Sequence, residues 1–92
     1  MKKKILVLDD SPFMLTLISD MLAGLNYEVT TVDNGKDACQ RVESTRYDLI
    51  ITDLNMPDMD GVAFTKKART YSNCRFVPIL MLSSEGDERI PL

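Results

Sequence analysis

Histidine and tryptophan are absent from the chain, and its two cysteines, Cys39 and Cys74, have no Cys-x-x-Cys spacing. That leaves a zinc site without its usual ligands and a disulfide framework without its usual pattern, so two buried or half-buried thiols are the expectation. A basic excess is missing too: 11 Lys and Arg face 14 Asp and Glu, for a net charge of -3. Nothing in that balance favours nucleic acid or an anionic membrane as a partner. Long apolar runs are also lacking. Met1-Lys2-Lys3-Lys4 leads into a stretch that stops at Asp9, too short for a signal-peptide core or a membrane span, which points to a strand in a cytoplasmic protein. With no repeat, linker or low-complexity tract, residues 1–92 read as a single small domain, burying about 60–65% of the unfolded chain's surface.

What is present alternates. Ile5-Leu6-Val7-Leu8 reads as a strand, and Ser11-Pro12 as an N-cap followed by proline in the first helical turn. Met14, Ile18, Met21, Leu22 and Leu25 recur at helical spacing, and Gly24 stands where a left-handed cap would end a helix over residues 12–23. Residues 27–32 are rich in β-branched side chains and suit an edge strand. Asn34-Gly35 then turns the chain into a second helix through Val42. Residues 48–53 make a third strand, residues 61–69 a short helix with Phe64 and Ala68 inward, and residues 77–82 a fourth, fully buried strand ending in Ser83-Ser84. The βαβαβαβ order predicts an α/β fold, a doubly wound parallel sheet with helices on both faces.

Such sheets bind ligands beyond the carboxyl ends of their strands. Asp9 and Asp10 close the first strand, Asp53 closes the third, and Ser83 follows the fourth. Three carboxylates within ~5 Å of one another repel by roughly 3 kcal/mol per pair at an effective dielectric of about 20, so the cluster calls for a proton or a cation. A hard, oxygen-only site with few carboxylates suits Mg2+ better than Ca2+ or Zn2+. With the charge offset, Asp53 becomes a candidate nucleophile toward phosphorus, and Ser83 a hydrogen-bond donor to arriving phosphoryl oxygens. Taken singly, these acids are ordinary strand-end or capping residues; their conjunction carries the inference. Met56-Pro57 and Asp60-Gly61 read as turn chemistry that fixes the intervening loop.

The segments Ile5-Leu6-Val7-Leu8-Asp9-Asp10-Ser11, Asn34-Gly35, Asp48-Leu49-Ile50-Ile51-Thr52-Asp53, Met56-Pro57-Asp58-Met59-Asp60-Gly61 and Val77-Pro78-Ile79-Leu80-Met81-Leu82-Ser83 together resemble the receiver domain of two-component response regulators. The resemblance implies a flavodoxin-like receiver fold. It makes Asp53 the phosphoacceptor, Asp9, Asp10, Asp53 and the backbone carbonyl of Asn55 the Mg2+ ligands, and Ser83 the switch hydroxyl. It also implies a partner histidine kinase or phosphotransfer protein, and the absence of histidine here fits a donor supplied in trans. The chain would be a phosphoacceptor signalling module of a phosphorelay rather than an enzyme, capable at most of weak Mg2+-dependent self-phosphorylation and dephosphorylation.

Against the family pattern the sequence looks C-terminally incomplete, with about four strands and three helices. Gly86-Asp87-Glu88-Arg89 could open a further helix, but Ile90-Pro91-Leu92 follows, without the fifth strand, its aromatic switch residue, the lysine-proline pair or the last helix. The expectation is a truncated receiver with impaired phosphotransfer, since Lys2, Lys3, Lys4, Lys36, Lys66 and Lys67 do not end strands. Its fourth-strand edge, uncharged from Ile79 to Leu82, invites a homo-oligomer such as a dimer. Three rivals follow. A phosphohydrolase of the haloacid-dehalogenase kind would want an acid where Asn55 stands. A flavodoxin-like nucleotide binder would want a phosphate loop where Asp9-Asp10 stands. A non-signalling receiver fragment would act only as an assembly or folding unit.

Overall fold

The structure is a computed structural model and describes residues 1–82. In chain order its elements are β1 (Lys4–Leu8), α1 (Pro12–Gly24), β2 (Glu28–Val32), α2 (Gly35–Ser44), β3 (Leu49–Asp53), α3 (Gly61–Ala68), a 3-10 turn (Ser72–Cys74) and β4 (Ile79–Leu82). The strands form one parallel sheet in the order β2-β1-β3-β4. From β1 the chain moves outward to β2 and then returns across β1 to β3, so the winding reverses between β1 and β3. The expected doubly wound, flavodoxin-like architecture is therefore present, with β2 at one edge as its polar alternation suggested.

Period-two alternation divides the sheet's apolar residues between two layers. Ile5, Val7 and Ile51 face α1 through Leu15, Ile18 and Leu22. Leu6, Leu8 and Ile50 face the other way into the larger core, which contains Ala38, Cys39 and Val42 of α2 and Phe64 and Ala68 of α3. Phe64 is fully enclosed, and burying a ring of that size contributes about 1.5–3 kcal/mol. Cys39 and Cys74 are free, buried thiols in this core, each pushed up in pKa chiefly by burial.

Three expectations are corrected. The left-handed residue after α1 is Asn26 (φ 70°), while Gly24 lies inside the helix. Tyr27 N–H donates to Leu22 O at 3.2 Å and Asn26 N–H to Ala23 O at 3.0 Å, a Schellman closure that keeps the glycine as the last helical residue and puts the cap at Leu25. Second, the half-buried stripe by which α1 packs on the sheet runs through Leu15, Ile18 and Leu22, whereas Met21 and Leu25 are exposed. Third, β4 is not fully buried. Ile79 is half-buried and Leu80, Met81 and Leu82 are exposed, because β4 is the sheet's other edge and has β3 as its one described neighbour. Ser83 and the proposed helix start at Gly86 lie outside the described residues.

Candidate functional site

The site is built by register. Leu8 pairs with Thr52 across β1 and β3, so the next residues, Asp9 and Asp53, emerge side by side at the carboxyl ends of the two central strands, where the winding reverses. One carboxylate oxygen from each of Asp9, Asp10 and Asp53 lies within 4.8 Å of the others. Asp9 and Asp53 are each 4% exposed, and Asp10 opens the cluster to water. Burial raises the pKa of Asp9, the Ser11 backbone N–H at 2.9 Å opposes the shift, and the charges of Asp53 and Asp10 add to it. The arrangement suits a hard divalent cation: every donor is an oxygen, two of the three acids are held out of water, and their mutual repulsion is what such a cation would relieve.

The segments that carry these acids are fixed locally. Ser11 Oγ accepts from Met14 N–H at 3.2 Å and caps α1, directing the β1–α1 turn that carries Asp9 and Asp10. Beyond Asp53, Leu54 N–H donates to Leu82 O at 2.9 Å and Gly61 N–H to Leu54 O at 2.8 Å, closing the loop of residues 54–60. Gly61 is required by close approach, since a Cβ there would stand 2.6 Å from the Asp53 carbonyl oxygen. Asp60 Oδ1 accepts from Ala63 N–H at 2.7 Å and caps α3, and Met56 is buried in the core. The loop's turn chemistry thus holds, as the sequence suggested, and Asn55 sits within this loop. The sequence reading missed Asp58, whose carboxylate reaches back to the first turn of α2. No local pattern announces a contact between residues 23 positions apart.

The profile of the response regulator receiver domain matches residues 5–91. The chain belongs to that family. This receiver is 38% identical over 85 residues to the chemotaxis protein CheY1 of Helicobacter pylori, covering 90% of this chain and 68% of that protein. It is 36% identical over 88 residues to the alkaline phosphatase synthesis transcriptional regulatory protein PhoP of Bacillus subtilis, covering 96% of this chain but 36% of PhoP. The chain thus spans about a third of the length of that regulator. Among solved structures, the chemotaxis protein CheY4 of Vibrio cholerae superposes with a TM-score of 0.89 at 38% identity, over 97% of this chain and 74% of that one. The receiver domain of sensor histidine kinase PA1611 from Pseudomonas aeruginosa, solved with a magnesium ion coordinated in its active-site cleft, matches with a TM-score of 0.86 at 37% identity, over 97% and 75% of the two chains. The chain is a receiver domain of two-component signalling, and receiver domains are signalling modules rather than conventional enzymes. Among the described residues no helix is long and apolar enough to cross a membrane.

Proposed function

We propose that this receiver is a phosphoacceptor, modified on Asp53 by a partner histidine kinase or phosphotransfer protein, with Mg2+ held by Asp9, Asp10, Asp53 and the backbone carbonyl of Asn55. The observation that carries this reading is the convergence of three carboxylates from two adjacent strand ends within 4.8 Å. Bound there, the cation offsets the negative charge that would otherwise keep a phosphoryl group away from a carboxylate. Asp53 supplies the nucleophilic oxygen: its O–P bond forms as the donor's P–N bond breaks, and the departing imidazole takes a proton from solvent. Its burial limits access of water to the acyl phosphate, while exposed Asp10 leaves the donor a way in. Asp9 is oriented by the Ser11 N–H. In this reading Ser83, next but one after Met81 in sequence, donates its hydroxyl to the phosphoryl oxygens.

The test is incubation with acetyl phosphate and Mg2+ followed by intact mass measurement. Wild type gains one phosphoryl mass and Asp53→Ala gains none. Absence of an adduct on wild type, or the same adduct on Asp53→Ala, rejects the reading.

Self-association is part of the same proposal, with a second copy of the chain as the partner. Ile79–Leu82 contains no charge or proline to blunt its outer edge, and Leu80 and Leu82 are exposed. Two identical β4 edges are self-complementary when paired antiparallel about a two-fold axis. This observation also keeps alive an assembly role for the chain without phosphotransfer.

A further inference from the structure

The first turn of α2 has three backbone donors without intrahelical acceptors, those of Gly35, Lys36 and Asp37, as in any helix. Asn34 Oδ1 takes only one of them, accepting from Asp37 N–H at 2.8 Å. The other two are met from outside the helix. Asp58 Oδ2 accepts from Gly35 N–H at 3.1 Å and Lys36 N–H at 3.4 Å, and Asp58 Oδ1 accepts from Gly35 N–H at 3.3 Å. A carboxylate there also lies at the favourable end of the helix dipole. Beside this bond the two segments touch: a Cβ on Gly35 would stand 2.7 Å from Met59 Cβ, so glycine is what lets the loop rest against the helix.

The loop that receives this bond is the one that leaves the site. Residues 54–60 begin at the phosphoacceptor strand, pass through Asn55, are anchored in the core by buried Met56, with half-buried Met59 packed against the same cluster, and reach Asp58 after Pro57, whose φ is fixed. Their far end is closed by Asp60 on α3. Between the Met56 anchor and that closure, Asp58 and Met59 are what the loop leans on, and both lean on α2.

We propose that Asp58 is a positioning residue for the metal centre: by tying residues 54–60 to the first turn of α2 it holds the Asn55 carbonyl where it can join Asp9, Asp10 and Asp53 around a divalent cation. The inference rests on the metal-binding reading above. It also makes α2 a structural support of the site although none of its side chains belongs to the carboxylate cluster. Supporting groups of this kind typically govern about 10–100-fold in metal affinity.

Mg2+ titration by calorimetry, with amide hydrogen exchange at Gly35 and Lys36 as a second readout, separates the possibilities. Wild type binds Mg2+; if it does not, the metal reading fails and the positioning role falls with it. Given wild-type binding, Asp58→Ala weakens Mg2+ by about 10-fold or more and speeds exchange of both amides. Asp58→Asn removes the charge but keeps a carbonyl oxygen for Gly35 N–H, and recovers most of the affinity. Equal losses in Asp58→Ala and Asp58→Asn would assign the effect to net charge and overturn the proposal. So would wild-type affinity in Asp58→Ala with the amides already exchanging fast. Should Asp58→Ala not fold, Gly35→Ala answers the same question by pressing its Cβ against Met59 without touching an acid. It weakens Mg2+ if the proposal holds, and unchanged affinity overturns it.

Discussion

Asp9 holds a carboxyl group at 4% exposure beside two other acids, and the folded protein pays for it. Burial, with the charges of Asp53 and Asp10, lifts its pKa above 3.8 against the opposing Ser11 N–H. A carboxyl raised on folding binds its proton more tightly in the native state than in the unfolded one, so stability falls as pH climbs from the ordinary carboxylate value through the raised one. At neutral pH ionised Asp9 is a net cost. Asp9→Asn keeps an oxygen for Ser11 N–H and removes the charge. Without metal at pH 7 its Tm is expected to exceed that of wild type by ~4–8 °C, the shift that about 1 kcal/mol produces in a domain of this size. Mg2+ should narrow the gap, because wild type gains binding free energy that the variant has lost. An unchanged or lower metal-free Tm in a thermal melt would show that burying ionised Asp9 among these acids carries no net cost. These acids were legible in sequence because each closes an apolar run, and parallel strands deliver such residues to one rim. Asp58 was not, because its meaning is a contact with backbone 23 residues away, and the exposed side chain looks in sequence like any loop acid.

Elements were legible in type and approximate extent, and their ends were not. The stop of α1 shows why. Gly24 and Asn26 both tolerate left-handed backbone, and sequence preference favours the glycine. What decides is the Schellman closure of Tyr27 on Leu22, two residues packed together against the sheet layer of Ile5, Val7 and Ile51, which is a tertiary fact. The two alternatives predict opposite signs. With Gly24 inside the helix and nothing within 4 Å of a Cβ built there, Gly24→Ala should stabilise the protein by up to about 1 kcal/mol. Had Gly24 been the left-handed cap, the same change would destabilise by roughly 1–2 kcal/mol. Urea denaturation distinguishes the two through a shift in midpoint at constant slope. β4 misled for a related reason: an unbroken apolar run reads as buried on both faces, but burial depends on where the strand falls in the sheet order, and among the described residues this one falls at the edge.

At the scale of the whole molecule the two sheet edges are unlike. β2 presents Glu28 and the polar Thr30 and Thr31, while β4 presents Leu80, Met81 and Leu82 with no charge among its four residues. Phe13, Leu17 and Met21 of α1 are exposed as well, and α1 covers the sheet face on which Leu80 and Leu82 lie by register with Ile51 and Asp53. An edge whose ladder groups have no outer partner among the described residues, with apolar side chains on both sides of the strand, gains hydrogen bonds and burial at once when it pairs with a copy of itself, whereas the β2 edge gains only hydrogen bonds. Static light scattering at ~10–50 micromolar should therefore give an average mass above that of the monomer, rising with concentration. Leu80→Lys places a charge on the β4 edge without disturbing any residue of the carboxylate cluster, so it should return the protein to monomer while Mg2+ binding persists. A wild-type protein monomeric over that range, or an oligomer indifferent to Leu80→Lys, would rule out pairing through β4. Loss of Mg2+ binding together with the oligomer would instead mean that edge and site are not independent, and that the second copy helps to hold the β3 end from which Asp53 projects.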